Sequence, residues 1–138
     1  MNIGELEGKI IIKIDRTDNE ILFSCLDRNR YLMYHEQDCC ESVYIEDVVG
    51  DLDDLIGSPV IIAREDSNRE PDNYGSTTWT FYNIFTIRGG VTIRWNGSSN
   101  GYYSESVNFD NVKDLWSYHS SKLITKEEIQ KAQDEEEE

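Results

Sequence analysis

The chain has 138 residues, with 28 Asp and Glu against 13 Lys and Arg and a formal net charge of -15. That length suits one domain with a core of its own, and 38% hydrophobic with 11% aromatic residues is too apolar for a disordered chain. The charge argues against a direct reader of nucleic acid or anionic lipid, because the basic residues are scattered rather than gathered.

In chain order, Lys9 to Asp15 is a β-branched run ending at the turn-like Thr17-Asp18-Asn19. Glu20 to Leu26 and Tyr31 to His35 repeat the pattern across Asp27 to Arg30, which predicts an N-terminal antiparallel meander. Val43 to Val49 adds a short strand. Asp51 to Ile56 has the apolar spacing of one or two helical turns, stopped by Gly57 and Pro59, and a strand follows at Val60 to Arg64.

Ser67 to Thr77 is polar, carries Pro71, Asn73 and Gly75, and reads as an exposed connection able to cap a site. Thr78 to Arg88 alternates as a half-buried strand, with Trp79, Phe81, Phe85 and Ile87 assigned to the core and Tyr82 to the surface. Gly89-Gly90 signals a hairpin into Val91 to Trp95. Asn96 to Gly101 reads as a loop leading to a strand at Tyr102 to Phe109. At the C-terminus, Thr125-Lys126-Glu127-Glu128 forms a capping box with Ile124 and Ile129 as its hydrophobic staple. The short helix that begins there dissolves into the acidic run Asp134 to Glu138. The expected fold is a mainly β (α+β) domain of antiparallel meanders over residues 1–120, with one short helix in the middle. Residues 121–138 form a C-terminal helix and acidic tail.

Between Tyr31 and Ala63 eight acidic residues occur without a Lys or Arg, and within this stretch Tyr34 to Glu41 packs together most reactive side-chain types. His35, Cys39 and Cys40 are weak candidates for a metal, since zinc takes imidazole and thiolate. Adjacent cysteines in extended chain point apart, however, and the other histidine, His119, is distant. The favoured reading makes one cysteine a small buried apolar residue and His35 a hydrogen-bonded strand-end residue. With Cys25, the cysteines number three, a poor disulfide framework, and no apolar leader precedes them. A reducing, cytoplasmic setting follows as the expectation. Cys-His catalysis lacks an oxyanion loop, and neighbouring carboxylates would raise a thiol pKa. Paired carboxylates for glycoside chemistry are too numerous to be specific. No phosphate-binding loop follows any strand. The chain is therefore read as a non-enzyme without cofactor. A ligand site built from His35, Trp79, Tyr82, Arg88, Arg94, Tyr102 and Tyr103 is the alternative, through stacking faces and anion contacts.

Three blocks, Tyr34 to Pro59, Thr78 to Tyr82 and Val91 to Glu105, with the unusual His35-Glu36-Gln37-Asp38-Cys39-Cys40 at their head, resemble a family of short uncharacterised proteins encoded by bacteriophages and prophages. The resemblance imports no activity. It implies a setting in which compact acidic proteins bind and disable host factors, including nucleases and other defence proteins. The leading expectation is a host protein with a basic surface as partner, met by Glu36, Asp38, Glu41, Asp47, Asp51, Asp53 and Asp54, with Tyr34 and Tyr44 as buried anchors.

Overall fold

A computed structural model of the chain describes residues 2–115 and 121–137, so His119 and Glu138 lie outside the described residues. Eight strands are described: β1 (Ile11–Arg16), β2 (Glu20–Cys25), β3 (Arg30–Tyr34), β4 (Ser42–Val49), β5 (Ile62–Pro71), β6 (Ser76–Thr86), β7 (Gly89–Ser99) and β8 (Asn108–Asn111). They build two antiparallel four-stranded sheets, β1-β2-β3-β8 and β4-β7-β6-β5. The expected N-terminal meander is the first three strands of the first sheet. The chain crosses to the second sheet after β3 and returns after β7 to lay β8 beside β3.

The sheets pack face to face. Ile21, Phe23, Tyr31 and Met33 of the first meet Val43, Ile45, Tyr82, Ile84, Val91, Ile93 and Trp95 of the second in one core. The Trp95 indole N–H donates to the Met33 sulfur at 3.2 Å, so the one polar atom of the largest buried side chain is satisfied. The first sheet is covered on its other face too. Leu22, Leu32 and Tyr34 form a second cluster with Val112, Leu115, Ile124 and Ile129, under the helix α1 (Lys126–Glu137). The capping box forms as expected, with the Glu128 N–H donating to the Thr125 hydroxyl at 3.1 Å and the Thr125 N–H donating to the Glu128 carboxylate at 3.3 Å. Rather than dissolving, the helix runs to Glu137 because Ile129 and Ala132 face this cluster.

Four expectations are corrected. The middle helix is a single 3-10 turn, Leu52–Leu55, since the span between the Asp51 cap and Gly57 leaves no room for an α-turn to propagate. Ser67 to Thr77 is not a loop: β5 continues to Pro71 and β6 starts at Ser76, closed by a turn in which Asp72 caps the Tyr74 N–H at 2.7 Å. The polar composition reflects an edge strand, whose residues from Arg64 onward are all exposed. Asn96 to Ser99 likewise extends β7, and of the expected last strand only Asn108 and Phe109 pair, in a strand that runs on to Asn111. Finally, the parity of β6 is inverted. Thr80, Tyr82, Ile84 and Thr86 face the core, whereas Phe85 is 43% exposed and Trp79 and Phe81 are half-buried on the outer face. The cause is register. The two-residue turn Ile87-Arg88 pairs Tyr82 with Ile93 and Ile84 with Val91, so inward Val91, Ile93 and Trp95 carry the even-numbered residues of β6 inward with them.

Candidate functional site

The Tyr34 to Glu41 cluster is built around a buried carboxylate. Glu41 has its side chain fully shielded and accepts from the backbone N–H groups of Asp38 (3.0 Å) and Cys39 (2.8 Å), and from the Gln37 amide (3.1 Å). His35 Nε2 lies 2.9 Å from the same carboxylate, and its Nδ1 lies 2.7 Å from the Ser106 carbonyl oxygen. Both ring nitrogens thus lie within hydrogen-bond distance of an oxygen, which fixes the ring between the two crossover segments. Burial opposes charge on Glu41, yet the N–H groups of Asp38 and Cys39 and the His35 ring pull its carboxyl down to about 2.

This cluster offers no reactive thiol. Cys39 and Cys40 are exposed and joined to each other by a disulfide, contrary to the expectation that one is buried and neither bonded. The buried cysteine is Cys25, whose thiol burial pushes up to about 11. Among the described residues no group of three or more His, Cys, Asp and Glu is placed to hold a metal ion.

The acidic set divides. Glu41 is buried, and so is Tyr34, whose hydroxyl donates to Asp110 at 2.8 Å. Tyr34 sits on the β3 face that α1 covers, which alternation within β3 dictates once Tyr31 and Met33 point to the other sheet. Glu36 and Asp38 are exposed on the crossover after β3. Tyr44, 40% exposed, lies on the outer face of the second sheet with Asp47, and Asp51 and Asp53 are exposed on the turn after β4, with Asp54 beside them.

The alternative ligand set is dispersed as well. Tyr82 is core, its hydroxyl donating to Glu65 at 2.6 Å, and burial first, then that carboxylate, raises its pKa. Arg88 is at the β6–β7 turn, donating to the Ile56 carbonyl at 3.2 Å. Tyr102 projects into solvent with Tyr103 edge-on to it, and His35 belongs to the Glu41 cluster. Trp79 and Arg94 do share the outer face.

That outer face is the extended uncovered surface of the sandwich. Trp79, Phe81 and Phe85 run along the central strand β6, and among the described residues no element packs over them. Asn96 of β7 pairs with both Tyr44 and Trp79; one row on, Arg94 pairs with Asp47 and Phe81, and Phe81 with Asp66. Arg94 donates to Glu46 at 2.8 Å and lies 3.8 Å from Asp47, so its charge is answered from β4. The edge strands carry acids that flank the aromatic row: Glu46 and Asp47 on β4, Asp66 and Glu70 on β5. Phe85 lies across Gly90, where a Cβ would collide with its ring. Sequence reasoning missed Phe81 and Phe85 as surface residues, although the register of the β6–β7 hairpin contained the signal.

Among the described residues no helix is long and apolar enough to cross a membrane. No curated protein and no solved structure matches the chain. Residues 4–109 match the profile of a family described as a domain of unknown function, DUF7448, covering both sheets up to Phe109 in β8. The chain belongs to the DUF7448 family.

Proposed function

We propose that this chain is a non-catalytic binding protein that docks the outer face of its second sheet on a basic protein surface. The observation that carries the reading is the aromatic row Trp79, Phe81 and Phe85, uncovered and flanked on both edges by acids. A row of partly exposed aromatic rings, interrupted by Asn83 between Phe81 and Phe85 and rimmed by polar residues, has the anatomy of a protein interface. Half-buried aromatic rings are its natural anchors, since they carry large area at small entropic cost. The net charge of -15 sets the sign of the partner and speeds its approach. If the chain acts in the phage setting of its resemblance, the partner is a host protein, with nucleic-acid-binding grooves as the complementary surface.

Compared with the sequence-based face, Trp79, Phe81 and Phe85 replace Tyr34 and Glu41, while Tyr44, Asp47 and the acids after β4 are kept. Ionic strength tests it. Binding should weaken steeply as salt rises, because exposed charges are screened beyond about 8 Å at physiological salt. The Asp47→Lys, Asp66→Lys double variant should bind more weakly at low salt with an unchanged melting temperature; unchanged affinity overturns the placement.

A further inference from the structure

The inner face of the second sheet changes character along its length. Near the β6–β7 turn it carries Ala63, Ile84 and Val91, but toward the other end of the β5–β6 hairpin the inward positions are Glu65, Ser67 and Arg69 on β5 and Ser76, Thr78 and Thr80 on β6. The first sheet has strands of 4 to 6 residues against 8 to 11 in the second, and the segment 101–107 roofs this end in its place. A cleft of about 380 Å³ lies between them.

Its roof is pinned to the sheet by Glu105, 7% exposed. The hydroxyls of Ser76 (2.5 Å), Thr78 (2.8 Å) and Ser99 all donate to its carboxylate. Gly97 admits the backbone of Glu105 onto β7, where a Cβ would collide with its carbonyl oxygen. Burial opposes the charge, but the Ser76, Ser99 and Thr78 hydroxyls and the nearby Arg69 charge hold the Glu105 carboxyl below the usual carboxylate range.

This geometry selects a ligand. A hydroxyl has one hydrogen and two lone pairs, so the Ser76 and Thr78 hydroxyls aimed at Glu105 have only lone pairs left to present to the cleft, whereas those of Ser67 and Thr80, which also line it, keep a hydrogen to donate. Glu65, whose one oxygen takes the Tyr82 hydroxyl, lines the same cleft as a further acceptor. Arg69 supplies fixed donors, and Tyr103 an aromatic face. The carboxylates of Glu65 and Glu105 oppose an anion, and the Arg69 guanidinium opposes an ammonium group. A molecule carrying several neutral hydroxyls donates to the carboxylates and lone pairs and accepts from the guanidinium.

We propose that this cleft binds a small neutral polyhydroxylated molecule, with Glu65 and Arg69 as its polar contacts and Tyr103 as its stacking face. The cleft volume falls within the range of small-molecule sites, about 300–1,000 Å³. It lies on the opposite face of the second sheet from the docking surface, so either assignment can fail without the other.

Saturation-transfer NMR on the full chain tests it, with myo-inositol, D-glucose and D-ribose as neutral probes and ribose 5-phosphate and ethanolamine as charged counterparts. At least one neutral probe should receive saturation and bind more tightly than both charged ones. Glu65→Gln and Arg69→Met should each weaken that binding about tenfold. Arg64→Met, on the outward face of the same strand, should leave it at the wild-type level and controls for folding. No transfer to any neutral probe, tighter binding of either charged probe, or wild-type binding in both Glu65→Gln and Arg69→Met overturns the proposal.

Discussion

Tyr44 and Trp79 flank Asn96 on the outer face of the second sheet, each paired to it from a neighbouring strand. Two strand spacings put their backbones about 10 Å apart, and both rings belong to a surface that no described element covers. Residues on this face should therefore be cheap to change. Trp79→Ala and Phe81→Ala should each cost about 1 kcal/mol, whereas Tyr82→Ala, one position along the same strand from Phe81 and buried in the core, should cost about 3 kcal/mol or more. Denaturant midpoints of the three variants check this; the reverse order would restore the opposite parity.

The Glu41 carboxyl gives the fold an acid limit. Its pKa of about 2 in the folded chain lies below the ordinary 4.5, so its contribution is fully present above pH 4.5 and is lost as pH falls toward 2. Melting temperatures of wild type should drop through that window, and Glu41→Gln should flatten the drop. The same variant should be less stable at neutral pH, by about 3 kcal/mol, because the Asp38 and Cys39 N–H groups and His35 lose a charged acceptor.

The two segments that cross between the sheets are each pinned by a buried carboxylate, Glu41 after β3 and Glu105 after β7, and the His35 contact with the Ser106 carbonyl joins them. Gly97→Ala should lift the second crossover by setting a methyl group against the Glu105 backbone. Hydrogen exchange should then quicken over residues 101–107 with little change in β1 and β2. Uniform quickening across both sheets would mean that the crossover is not an independent unit.

At the helix, Thr125→Ala removes the acceptor of the Glu128 N–H and should cost about 1 kcal/mol. Ile129→Ala should cost about 2 kcal/mol or more, since Ile129 packs with Leu22 and Leu32 on the first sheet. A smaller effect for Ile129 than for Thr125 would show that α1 is only loosely laid against β2 and β3.

How much of this was legible in the sequence depends on how far each signal reaches. The capping box and staple act within one helical turn and read directly. The alternation of Val91, Ile93 and Trp95 is likewise local, and with any two-residue hairpin turn it forces Tyr82 and Ile84 inward; weighing the larger rings of Trp79 and Phe81 above this register led to the opposite parity. The β5–β6 hairpin was illegible because an exposed edge strand with Arg64, Glu65, Asp66, Arg69 and Glu70 carries no alternation. Nothing local distinguishes Glu41 and Glu105 from the many exposed acids. The hydroxyls of Ser76 and Thr78 that hold Glu105 lie 29 and 27 residues away, and no periodic pattern spans that distance.

The most direct test of the docking face compares capture from cell lysate at low salt by three forms of the full chain. These are the wild type, the outer-face variant Trp79→Ser with Phe81→Ser, and a control with Glu127→Lys and Asp134→Lys on exposed positions of α1. The control changes charge far more than the outer-face variant does. Native mass spectrometry should find one protein retained by the wild type and by the control, released at moderate salt, and absent from the outer-face variant. Equal retention by a folded outer-face variant, or loss from the control alone, would contradict the assignment of the β4-β7-β6-β5 outer face as the binding surface.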